Sequence, residues 1–119
     1  MPNKIDVLMI NGTAQGKVLA IENELEIFRL FQDGIHAREL ITYKLCDFIA
    51  SGRVFRIGIS NDVAVPADGV IQAMILDGAK IGFTPYKTTY QAPHEISTVE
   101  KQWWYAFELM QDKWNQNNR

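Results

Sequence analysis

Apolar residues along this chain fall into short runs separated by turn-forming residues, and the spacing inside each run predicts an element. Ile5-Asp6-Val7-Leu8-Met9-Ile10 is mostly apolar and is closed by Asn11-Gly12, the pattern of a short buried strand. Val18-Leu19-Ala20-Ile21 is a second such run, and the glycine-containing loop between the two can join them as an antiparallel hairpin. Over 22–31 two periods compete: Leu25, Ile27 and Phe31 alternate as in a strand, whereas Leu25, Phe28 and Phe31 recur near helical spacing. The density of glutamate and the Asp33-Gly34 stop favour a helix there.

The stretch 34–50 also reads as a helix. Ala37, Leu40, Ile41, Lys44, Leu45, Phe48 and Ile49 share one face at helical spacing, and Ser51-Gly52 supplies a left-handed stop. Residues 53–60 alternate, with Phe55, Ile57 and Ile59 on one side and Val54, Arg56 and Gly58 on the other, which predicts a strand. Pro66 suits a helix start, and Val70, Ile71, Met74 and Ile75 form its apolar stripe up to Asp77-Gly78. A last strand is expected over 80–84, then a polar and aromatic loop over 86–95.

The C-terminal helix has the strongest local signal. Ser97-Thr98-Val99-Glu100 fits a capping box, and Val99, Trp103, Phe107, Met110 and Trp114 then make one face, with a frayed tail at 115–119. Together these elements describe one α+β domain spanning 1–119, in which a small mixed or antiparallel sheet of about four strands packs against three or four helices and a long C-terminal helix closes the fold.

Composition narrows the class of function. At 119 residues, with 47% hydrophobic and 22% charged residues, the chain can build a core without staples. Its net charge of −2 comes from 12 basic and 14 acidic residues, and the basic ones do not cluster, which disfavours nucleic acid as a partner. A single cysteine, Cys46, and the absence of a leader-like apolar stretch point to a reducing, cytoplasmic setting; no apolar run is long enough for a membrane span.

Five groups of residues could carry chemistry. Gly12-Thr13-Ala14-Gln15-Gly16-Lys17 follows a strand and ends in Gly-Lys, but only four residues separate Gly12 from Lys17, and Val18 stands where a phosphate-binding loop needs a hydroxyl. A hairpin loop accounts for it better. His36 and Glu39 would share a helix face, yet a metal needs a third ligand that the neighbouring sequence does not offer. Cys46 lies between core positions with Asp47 beside it, an environment that does not activate a thiol. Ser60, Asn61, Asp62 and Asp68 follow the best strand, where catalytic loops often sit, but they also suit ordinary turns and caps. No catalytic, metal-binding or cofactor-binding set emerges from these.

The fifth group joins Tyr86, Tyr90 and His94 of the 86–95 loop to Trp104, Tyr105 and Leu109 of the last helix. These apolar side chains, most with a polar handle, recur in binding surfaces. Apolar residues cover more than half the circumference of helix 97–115, where a surface helix buries about a third, so Trp104, Tyr105 and Leu109 are expected to be covered by a second copy or another protein. The expectation is therefore a non-enzymatic interaction module, forming a homodimer or binding a protein partner. The alternative is a small-molecule-binding domain or small enzyme whose aromatic-lined pocket takes an apolar or aromatic ligand, with Tyr86, Tyr90 and His94 at its mouth.

Overall fold

The structure is a computed structural model that describes residues 3–33, 38–89 and 93–118. Two strands open the chain, β1 (Lys4–Met9) and β2 (Val18–Glu22), and they pair as the antiparallel hairpin that their spacing predicts. β3 (Ile27–Asp33), β4 (Arg38–Ala50) and β5 (Arg53–Ile59) follow, then α1 (Asp68–Ala79), the short β6 (Lys87–Thr88), a 3-10 turn at Pro93–Glu95, and α2 (Thr98–Asn117). The sheet runs β2-β1-β5-β4-β3, with β6 pairing β5 at Arg53 and Val54, where β1 does not reach. Among the described residues, only β1 and β5 pair in parallel; the other pairs are antiparallel.

This architecture corrects the expected one. The described residues form a curled, mixed, six-stranded half-barrel with two α-helices, rather than about four strands against three or four helices. The largest difference lies in 22–31 and 34–50, each read from the sequence as a helix: Ile27–Asp33 and Arg38–Ala50 are instead the paired strands β3 and β4, and 34–37 fall outside the described residues.

The physical reason is that β4 changes its buried face midway. Ile41, Tyr43 and Leu45 enter the concave core with β1, β2 and β3, whereas Cys46, Phe48 and Ala50 pack against the helices on the convex side. Odd positions followed by even ones produce a stripe that imitates a helical period. The supposed helix stop, Ser51-Gly52, is the two-residue turn of the β4–β5 hairpin, with both residues at positive φ (52° and 73°), as a type I′ turn requires.

Residues 80–84 are not a strand either. They form the Schellman end of α1: Phe83 N–H donates to the Gly78 carbonyl (2.9 Å), Gly82 N–H donates to Ala79 (3.3 Å), and Gly82 takes φ 94°. Ile81 points outward and Phe83 inward, which is the alternation that suggested a strand. The expected loop at 86–95 contains β6 and the 3-10 turn.

Two cores result, one on each face of the sheet. On the convex side Leu8, Phe55 and Ile57 meet Ile71 and Ile75 of α1, Phe83, and Phe107 of α2. Phe55 is central, with ring centres of Phe107, Phe83 and Trp103 at 5.5, 5.7 and 5.8 Å. On the concave side no helix is needed, because curling brings the two outer strands, β2 and β3, into one cluster with Val7, Met9, Tyr43 and Leu45. Gly58 leaves room there: a Cβ at that position would overlap the sulfur of Met9. None of the described helices is long and apolar enough to cross a membrane.

Candidate functional site

Because β1 and β5 run parallel, their C-terminal ends lie side by side, and the loops that leave them, 10–17 and 60–67, emerge at the same edge of the sheet. Asn11 ties these loops together. It is only 3% exposed; its side-chain amide donates to the carbonyls of Ser60 (2.8 Å) and Ala64 (3.3 Å), and its Oδ1 accepts from Ser60 N–H (2.7 Å). A buried amide with its donors and acceptor engaged is a rigid clamp rather than a liability.

Tyr43, reaching up from β4, fixes the first loop from below. Its hydroxyl donates to the Asn11 carbonyl (2.9 Å) and accepts from Ala14 N–H (3.0 Å). Gly12 closes over that hydroxyl at φ 72°, and a Cβ there would stand 2.8 Å from the Tyr43 oxygen. Only glycine meets both the conformation and the close approach.

Above this floor opens a cleft of about 950 Å³ between the two loops, β4 and the start of α1. Ile10, Ile41, Val63, Val70 and Met74 give it apolar walls, and Thr13, Gln15, Ser60 and Asp62 give it a polar fringe. A neighbouring cleft of about 450 Å³ shares Leu40 and Asp62 with it and is also lined by Glu26 and Lys44. Ser60 Oγ accepts from Asp62 N–H at 3.3 Å, which sets the bend of the second loop. Among the described residues, no group of three or more His, Cys, Asp or Glu side chains could hold a metal ion.

The described members of the fifth sequence-derived group, Tyr86, His94, Trp104, Tyr105 and Leu109, do not line this cleft. Tyr86 lies beside the N-terminal half of β5, away from the cleft: its N–H donates to the Val54 carbonyl (3.0 Å) and its hydroxyl to Asp47 Oδ1 (2.6 Å). The same carboxylate oxygen pairs with Arg56 (3.0 Å), whose other nitrogen donates to the Leu25 carbonyl (2.9 Å). Partial burial, then the hydrogen bond to Asp47 and the charge of Asp47, push the Tyr86 phenol up to about 12. Tyr90 lies outside the described residues, and His94 is exposed in the 3-10 turn.

On α2 the aromatic residues divide. Trp104 turns toward the convex core, stacked on Phe107 with ring centres 4.9 Å apart and capped by the Arg53 guanidinium at 4.1 Å. Its indole N–H is buried without an acceptor among the described residues, whereas Trp103 donates to the Gln72 carbonyl (3.0 Å) and ties α2 to α1. Tyr105 and Leu109 face outward, 65% and 44% exposed. Val99, expected on the inner face, is 74% exposed.

Of the other candidates, Cys46 is half-buried on the convex side of β4, where burial pushes its thiol upward despite the nearby Arg56 and Lys44. His36 lies outside the described residues, and Glu39 stands in a strand, not on a helix face. The loops at 12–17 and 60–62, each of which reads as ordinary turn chemistry, are the ones that come together. Sequence reasoning missed Asn11 and Tyr43, which join them. The available signal was that two buried strands each end in a short polar residue, Asn11 and Ser60. No known protein family, curated protein or solved structure matches the chain.

Proposed function

We propose that the chain binds a small, largely apolar molecule in the cleft at the C-terminal ends of β1 and β5. The cleft itself carries the reading: about 950 Å³, apolar walls and a few converging polar groups. Ligand sites typically enclose about 300–1,000 Å³ with that lining. The floor is held by buried hydrogen bonds from Asn11 and Tyr43, so little ordering is required on binding. A reducing, cytoplasmic setting fits the unpaired Cys46.

The test is a thermal-shift screen against a metabolite library. A ligand at about 100 times its Kd should raise Tm by roughly 10 °C. Val70→Trp, which fills the cleft from α1, should abolish that rise while keeping the far-UV circular dichroism. If no compound shifts Tm, or if Val70→Trp leaves the shifts intact, the cleft is not a ligand site.

A second reading, self-association through the outer face of α2, is supported by Tyr105 and Leu109, exposed one turn apart. With Trp104 packed inward the face is smaller than the sequence suggests, so a dimer built on it would be weak. Sedimentation over a concentration series should show it, and Leu109→Glu should remove it.

A further inference from the structure

Resting on the reading of the cleft as a ligand site, we propose that its ligand is an apolar amine: an ammonium carried on an apolar or aromatic body, with the ammonium beside Asp62. The charge of the described lining, set among apolar walls, points to this class.

Among the described residues, Asp62 is the only ionisable one lining the larger cleft. It also stands at the seam with the smaller one, where Glu26 and Lys44 offset each other, so the described residues of the two clefts carry one net negative charge. Asp62 is exposed at the rim, so its attraction for a cation is strongest at low ionic strength. The positive end of α1, which opens toward the cleft, is answered by Asp68 in its own first turn.

The amide donors at the floor of the cleft are already engaged. The Asn11 amide donates to Ser60 and Ala64; the N–H groups of Ser60, Ala14 and Asp62 donate to Asn11 Oδ1, the Tyr43 hydroxyl and Ser60 Oγ. The fringe adds the Asp62 carboxylate, which only accepts, and the side chains of Thr13 and Gln15, which can accept or donate. An ammonium, with three donors and no acceptor, suits the Asp62 carboxylate, whose charge repels a phosphate or carboxylate.

Matched fluorescent probes test this. Dansylcadaverine, dansylamide and dansylglycine share one apolar fluorophore and carry an ammonium, no charge and a carboxylate. In low salt the cationic probe should bind tightest and the anionic one weakest, with roughly threefold between the cationic and neutral probes. Asp62→Asn should bring that ratio to about one, and added salt should shrink it in the unmodified protein. Val70→Trp should weaken every probe. If the probes bind and respond to Val70→Trp but show no cationic preference, or keep it in Asp62→Asn, the amine assignment is wrong and the cleft remains a ligand site. If no probe responds to Val70→Trp, both readings fall.

Discussion

Tyr43 and Gly12 show how closely single atoms are matched in the floor of the cleft. Tyr43→Phe removes one oxygen and leaves the Asn11 carbonyl and the Ala14 N–H without their buried partner. That should cost about 1–3 kcal/mol in urea denaturation. Gly12→Ala should cost at least as much, from a left-handed φ and from the overlap with the Tyr43 oxygen. The two losses should not add, because Phe at 43 relieves the overlap; a double-mutant cycle should give a coupling of about 0.5 kcal/mol or more. Additive losses would mean that loop and hydroxyl do not touch.

Tyr86 makes a separate residue-scale prediction, through pH. Its folded pKa lies above the unfolded value because partial burial disfavours the phenolate and the protonated phenol donates to Asp47. The resulting stability is fully present below about pH 10 and is lost as pH rises through the folded value of about 12. Ultraviolet titration should show a tyrosine step near 12 that Tyr86→Phe removes and Asp47→Asn lowers. A titration curve that is the same in all these proteins would contradict the bond.

At the scale of elements, what could be read from the sequence depends on how many faces each element buries. α2 was legible because its cap is local: Ser97 Oγ accepts from Glu100 N–H at 3.1 Å, and Ser97→Ala should cost about 1 kcal/mol. β1, β2 and β5 were legible as short apolar runs between turns. β4 was not, since its apolar residues serve two cores in succession and the period of two is broken between Leu45 and Cys46. Its β-branched and aromatic residues, Ile41, Thr42, Tyr43, Phe48 and Ile49, were the surviving strand signal. Misreading β4 also hid the cleft, because the adjacency of β1 and β5 follows only once β4 is a sheet neighbour of β5. Gly82 belongs to the same lesson: an αL glycine after α1, pressed against the Trp114 indole, marks a helix end that alternation at Ile81 and Phe83 disguised. Gly82→Ala should therefore lower stability by about 1–2 kcal/mol or more.

On the scale of the whole molecule, β1, β2 and β4 contribute to both cores, so the convex and concave layers should unfold together rather than in turn. The positions of the tryptophans make this measurable: Trp103, Trp104 and Trp114 all lie in α2, so indole fluorescence reports the helical layer, whereas the sheet dominates the β component of the far-UV spectrum. Phe107→Ala opens the convex core and should cost about 3–5 kcal/mol, and Leu45→Ala opens the concave core at about 2–5 kcal/mol. Leu45 makes no part of the layer that the tryptophans report. Even so, Leu45→Ala should shift the fluorescence midpoint as far as the circular dichroism midpoint, because the strands beneath α2 are the same ones that lose their concave packing. A fluorescence transition that stays in place while the sheet signal moves would separate the two layers into independent folding units, and the rigid cleft floor built where they meet would lose its physical basis.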